Sequence, residues 1–146
     1  MKKQKEDIPV HYFERNLLVV AVFMAITATF SYFTYSYFII VHPLSFVLAV
    51  PAVIFAFQTL WLMLNPYAVI YEDKFEIKRS IFSNKFWYFI DIKGVGEINK
   101  KGFNITYNDD EVEPISTFGI RSSNKQAFRD AVNKFVCKSL VVDRAD

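Results

Sequence analysis

Residues 16–71 read NLLVVAVFMAITATFSYFTYSYFIIVHPLSFVLAVPAVIFAFQTLWLMLNPYAVIY. Over these 56 residues there is no Asp, Glu, Lys or Arg, and 42 of them belong to the hydrophobic set. The other 90 residues hold the remaining 35, a proportion usual for a water-soluble domain. The overall 53% hydrophobic and 22% charged composition is therefore an average over two different materials. It excludes a disordered chain, a disulfide scaffold and a single water-soluble globule, and points to a small integral membrane protein with an aqueous domain.

The stretch divides at His42-Pro43. Asn16 to about Phe38 gives 23 residues, roughly 35 Å of helix at about 1.5 Å per residue, which crosses a hydrocarbon core of about 30 Å with some tilt. Leu44 to Leu64 gives 21 residues and also spans. A secretory signal fits the first segment poorly, because its apolar run is too long and ends in Tyr32-Phe33-Thr34-Tyr35-Ser36-Tyr37 where small residues would precede a cleavage site. The organisation expected is a segment 1–15, a transmembrane hairpin 16–64 (about 16–38 and 44–64), and an aqueous domain 66–146.

Aromatic residues mark both ends of this hairpin as interfacial: His11-Tyr12-Phe13 and Trp61 on one side, Tyr32, Tyr35 and Tyr37 toward the other. Lys2, Lys3, Lys5 and Arg15 precede the first span, Lys74, Lys78, Arg79 and Lys85 follow the second, and the intervening loop has only His42. By the positive-inside rule both termini are cytoplasmic and the protein is a multi-pass protein of the cell (inner) membrane. Small residues recur at helical spacing, and a turn near residues 41 and 42 sets Thr27 level with Ala56, Ser31 with Ala52 and Thr34 with Ala49, a packed helix pair. Neither span holds an ionisable residue, which speaks against a proton relay or an ion pathway.

After Asn65-Pro66 the period changes from helical to alternating. Tyr67–Tyr71, Phe75–Lys78, Lys85–Ile90, Ile92–Lys100, Phe103–Tyr107 and Val112–Thr117 read as about six short strands over 67–117, punctuated by Asp73-Lys74, Ser83-Asn84 and Asn108-Asp109-Asp110. Gly94 and Gly96 predict a bulge or break. A helix over about 123–140 follows, with Ser123 and Gln126 spaced for a capping box and Phe128, Ala131, Val132, Phe135, Val136 and Leu140 on one face. Such a helix covers the open end or face of a bent antiparallel sheet, an α+β domain beside a membrane α-helical hairpin.

The two apolar helices, the Asn-Pro-Tyr junction, the Tyr-Glu-Asp-Lys-Phe-Glu-Ile hairpin, the segment Phe86-Trp-Tyr-Phe-Ile-Asp-Ile92 and the helix start Ser-Asn-Lys-Gln-Ala-Phe128 together resemble the short bacterial membrane proteins with a pleckstrin-homology-like (PH-like) domain, including the YcxB-like group. The resemblance implies a bent, nearly closed antiparallel β-barrel plugged by its C-terminal helix. Fewer residues than in the eukaryotic domains imply a shortened strand set.

No catalytic constellation emerges. His11 and His42 lie far apart, Gly94-Val95-Gly96 lacks the third glycine and following helix of a nucleotide loop, and Asp109, Asp110, Glu111 and Glu113 do not follow calcium-loop spacing. Neither an enzyme, a metal nor a cofactor is expected. The net charge of +2 with no like-charged run gives no footprint for nucleic acid. The lone Cys137 reads as a buried or half-exposed thiol. The group nearest to a binding site is Lys74, Lys78, Arg79 and Lys85, close to the membrane exit, where contact with anionic lipid headgroups is expected. The expected function is a non-enzymatic membrane-anchored protein whose PH-like domain binds another protein, with Trp87 and Phe89 as outward-facing candidates. The alternatives are an immunity protein against a membrane-acting toxin and an anionic-lipid headgroup module. Partners are then the lipid bilayer and a protein, with self-association left open.

Overall fold

A computed structural model describes residues 8–143; Lys2, Lys3 and Lys5 of the basic flank lie outside the described residues, as does the C-terminal Asp146. The chain runs β1 (His11–Phe13), α1 (Leu17–Ile39), α2 (Leu44–Leu64), β2 (Ala68–Ile70), β3 (Lys74–Ser80), β4 (Ser83–Tyr88), β5 (Ile92–Val95), β6 (Gly102–Tyr107), β7 (Val112–Ser116) and α3 (Lys125–Asp143). Short 3-10 turns occupy Phe89–Asp91 and Ser122–Asn124.

Helices α1 and α2 are long and apolar enough to cross a membrane. Asn16 starts α1 by accepting the Leu18 amide at 3.0 Å. The helix ends in a Schellman motif, with the Val41 amide on Phe38 O and the His42 amide on Tyr37 O, both at 3.0 Å. Val41 takes the left-handed position at φ 53°, an unusual place for a β-branched residue. Pro43 then pre-sets the backbone for α2, and Pro51 sits within that helix.

The two helices meet along residues spaced alternately by three and four. Val20, Phe23, Thr27, Phe30 and Thr34 are among the less exposed positions of α1, and Ser45, Ala52, Phe55, Thr59 and Leu62 among those of α2. The hydroxyls of Thr27 and Thr59 lie 2.9 Å apart, one donating to the other, and Phe30 stacks on Phe55 with ring centroids 5.5 Å apart. This register differs by one helical turn from the sequence expectation: Thr27 faces Thr59 where Ala56 was expected. Ala52 is buried and Thr34 and Ala49 partly so, whereas Ser31 and Ala56 are exposed and off the seam. The physical reason is the turn. The Schellman cap consumes Val41 and His42 and Pro43 opens the next helix, so the hairpin pivots about Pro43 instead of between 41 and 42.

The strands form two antiparallel sheets, ordered β1-β2-β3-β4 and β5-β6-β7. The segment before α1 is thus no separate arm. His11, Tyr12 and Phe13 pair with Ile70, Val69 and Ala68 across the whole helical hairpin, so the sheet takes in a strand from before the domain start expected at residue 66. A strand of three residues shows too little alternation to be read locally. Because α1 leaves from the end of β1 and α2 returns into β2, both helices join the sheet at the same end.

Between the sheets lies a core of Phe13, Ile70, Phe75, Ile77, Trp87, Phe89, Ile92, Phe103, Ile105 and Ile115, into which α3 presents Phe128, Val132 and Val136. Ala131, Phe135 and Leu140 pack at its margin. The capping box does not form: Ser123 Oγ donates to Asn124 Oδ1, and the Gln126 amide donates to Asp130. A 3-10 turn over 122–124 draws Ser123 out of capping position. The ladder shifts register between Ile92 and Gly94, a bulge in β5. Gly102 is required by geometry, since at φ +153° a Cβ would come within 1.8 Å of the Ile115 carbonyl oxygen on β7. Cys137 is exposed on α3, more open than the sequence suggested.

Candidate functional site

Polar and aromatic side chains gather at three places: the helix–domain junction, the outer face of the four-stranded sheet, and a polar clasp between the sheets.

At the junction, Arg15 is 8% exposed although the sequence reads it as one more basic residue flanking a membrane span. Its guanidinium donates to the carbonyl oxygens of Asn65 (3.4 Å), Pro66 (3.3 Å) and Lys78 (2.6 Å). It also lies 5.4 Å from the Trp61 ring centroid and 5.5 Å from that of Tyr67, within cation–π range. One side chain therefore joins the start of α1, the exit of α2 and strand β3. Tyr67 packs at the same junction: its phenol donates to Ser116 O at 3.0 Å, and its ring lies so close to Gly119 that a Cβ there would sit 2.0 Å from Tyr67 Cε2. Burial raises the Tyr67 phenol pKa, with the charges of Arg79 and Arg15 pulling the other way.

The outer sheet face follows from register. Tyr12, Val69, Glu76 and Phe86 are cross-strand neighbours, as are Lys74 and Tyr88. Tyr12, Phe86 and Tyr88 are about half or more exposed, at 60%, 49% and 48%. The Lys74 ammonium lies 5.4 to 5.9 Å from the ring centroids of Tyr71, Phe86 and Tyr88. Beneath them Glu76 is buried, accepting from the Tyr71 hydroxyl at 3.2 Å and facing Lys78 Nζ at 3.9 Å. The patch is thus an aromatic surface with a cation at its centre. Trp87 and Phe89 are not part of it. The pairing Phe75↔Trp87 turns the indole inward to 2% exposure, and Phe89 is 1% exposed, which corrects their reading as outward-facing residues.

The clasp centres on Glu113 of β7. Its carboxylate accepts from Lys85 Nζ, from Trp87 Nε1 at 3.0 Å and from Tyr107 Oη at 2.6 Å, linking β4 of one sheet to β6 and β7 of the other. Burial pushes this carboxyl up, but the hydrogen bonds from Lys85, Tyr107 and Trp87 and the Lys85 charge outweigh it and hold Glu113 below the usual carboxylate range. A group depressed on folding contributes stability that is present above its unfolded pKa and lost as pH falls through its folded pKa. Glu113→Gln is accordingly expected to cost about 1–2 kcal/mol at neutral pH. It should also flatten the loss of stability below about pH 4.3, the ordinary glutamate range. Denaturant titrations across pH test this, and parallel acid profiles for the two proteins would contradict it.

The basic group named from sequence is dispersed. Lys85 is bound to Glu113, Lys78 faces Glu76, Lys74 sits among the outer aromatics, and Arg79 is exposed near the end of β3. Asp109 and Glu111 line a shallow cleft of about 440 Å³ together with Asp91, Tyr107, Asn108 and Glu113, Asp110 pairs with Lys93, and among the described residues no group of His, Cys, Asp or Glu could hold a metal ion. Comparison with family models, curated proteins and solved structures finds no match to this chain.

Proposed function

We propose that this protein is a non-enzymatic, membrane-anchored interaction module, in which a two-helix hairpin holds a PH-like domain against the cytoplasmic face of the inner membrane and the outer sheet face receives another protein. The observation that carries the reading is the outer sheet face, where Phe86 and Tyr88 are exposed beside Lys74 and a half-buried Tyr71, with exposed Tyr12 farther along the same face. Clustered exposed aromatics mark interaction sites, because each ring contributes a large rigid contact area with little rotamer entropy lost. The membrane part of the reading is supported by helices whose apolar side chains stay outside the protein core, Leu18, Phe46, Val47, Val53 and Phe57 among them. The PH-like part is supported by four- and three-stranded antiparallel sheets enclosing one core with a C-terminal helix.

The test uses the full chain in native membranes, with a photo-crosslinking phenylalanine analogue at Phe86 or Tyr88 and, as control, at exposed Val141 on α3. A discrete protein adduct is expected from positions 86 and 88, lost on Lys74→Glu and absent from position 141. Equal adducts at all three positions, or none at 86 and 88, would overturn the reading. The exposed thiol of Cys137 reports the side of the membrane: it should resist an impermeant maleimide in intact cells and react after lysis.

A further inference from the structure

The tip between β3 and β4 is Ser80-Ile81-Phe82-Ser83, and Phe82 is 90% exposed. An isolated exposed phenylalanine needs no explanation, but the setting of this one is unusual. The Ile81 amide donates to Gln58 Oε1 at 3.3 Å. Gln58 lies six residues before the end of α2, so the tip runs back along the helix by about 9 Å at 1.5 Å per residue. It is the one side-chain amide within α1 and α2. The neighbouring surface of α2, including Ile54, Phe57 and Leu60, is exposed and apolar.

The second tip amide is also satisfied from within the protein, since Phe82 N donates to Ser80 Oγ at 3.3 Å. A hairpin tip in water needs neither arrangement, because solvent accepts from its amides. A tip removed from water does, because an amide without an acceptor in an apolar medium is costly. The internal acceptors, the exposed phenylalanine and the adjoining apolar helix surface thus have one common explanation.

We infer that the β3–β4 tip is an interfacial wedge, with Ile81 and Phe82 entering the apolar margin of the bilayer beside α2, and exposed Arg79 just above them at the level of anionic lipid phosphates. The inference rests on the reading that α1 and α2 span the membrane. It gives the domain a non-covalent attachment to the bilayer in addition to its two covalent connections, from β1 into α1 and from α2 through Asn65-Pro66 into β2. A third point set apart from the two chain junctions fixes the tilt of the domain, so that the aromatic outer sheet face is held in one direction.

The test places single cysteines in the full chain on a Cys137→Ser background, at Phe82, at Val53 on the lipid-facing side of α2, and at Asp73 in the turn at the far end of β3. Each is labelled with an environment-sensitive fluorophore and reconstituted in vesicles of phosphatidylcholine and phosphatidylglycerol. A label at Phe82 should be blue-shifted relative to Asp73, quenched by lipids carrying a shallow nitroxide, and protected from soluble iodide. Iodide quenching at Phe82 as strong as at Asp73, with Val53 quenched by deep nitroxide lipids, would overturn the wedge and leave the spanning helices standing. Failure of deep nitroxides to quench Val53 would overturn the spanning reading and the wedge with it. Since Phe82 is outside the core, its replacement leaves the fold intact.

Discussion

Replacing Phe128 by Ala is expected to lower the unfolding free energy of the sheet-and-helix domain by about 3–5 kcal/mol, the usual cost of truncating a fully buried phenylalanine. The ring is completely buried and meets Phe13 at 5.0 Å, Phe103 at 5.7 Å and Phe75 at 6.0 Å between centroids. Those three partners come from β1, β6 and β3, so one side chain on α3 touches both sheets and the strand that precedes the helical hairpin. The cavity left by alanine has walls on three elements that hydrogen bonds hold apart, which limits collapse. A domain with an ordinary stability of about 5–15 kcal/mol would lose a large part of it. Native-state hydrogen exchange of β3 and β6 amides in detergent micelles measures the change, and a loss below about 1 kcal/mol would contradict this packing. Phe135→Ala is the comparison: that ring is only partly buried, stacked on Phe89 at 5.4 Å, and its loss should cost less.

Arg15→Met should cost about 2–3 kcal/mol, because the shortest of its hydrogen bonds, to Lys78 O at 2.6 Å, joins a charged donor to a partly buried carbonyl. Methionine keeps much of the stem volume, so the loss isolates the guanidinium. The carbonyls of Asn65 and Pro66 lose their donor as well, and the Trp61 and Tyr67 rings lose the cation between them. Arg15→Lys should recover only part of this, since a single ammonium cannot reproduce a planar fork reaching three carbonyls. The distinguishing signature is location: amide protection should fall first around residues 65–67 and 78, at the junction, with the β5-β6-β7 sheet less affected. Uniform loss over both sheets, or full rescue by lysine, would show that Arg15 contributes only bulk or charge.

The residues that answer most strongly to substitution are ones whose importance the sequence conceals. Arg15 looks like a membrane-flanking charge until Asn65, Pro66 and Lys78 close around it. Glu113 looks like part of an acidic turn until Lys85, Trp87 and Tyr107 converge on it. Lys85 in turn looks available to lipid until its partner, 28 residues on, is known. The outer face misleads in a similar way. The run Phe86-Trp87-Tyr88-Phe89 is aromatic throughout, so alternation cannot say which side is buried. The pairing of Phe75 with Trp87 decides it, sending Trp87 inward and Phe86 and Tyr88 outward.

By itself the sequence determined what depends on neighbours in the chain. The charge-free run of 56 residues, broken at His42-Pro43, dictates two long apolar helices, because helix length and hydrophobicity are local sums. Alternation after Pro66 dictates a meander of short strands, and the three-and-four spacing from Phe128 to Leu140 dictates the helix that closes it. The tertiary structure decided what depends on register between distant segments: β1 pairing across the hairpin, Thr27 meeting Thr59, the burial of Arg15, and the approach of Ile81 to Gln58. Each of these contacts joins residues separated by 20 or more positions. A shift of one residue or one helical turn would replace every partner while leaving the local pattern unchanged.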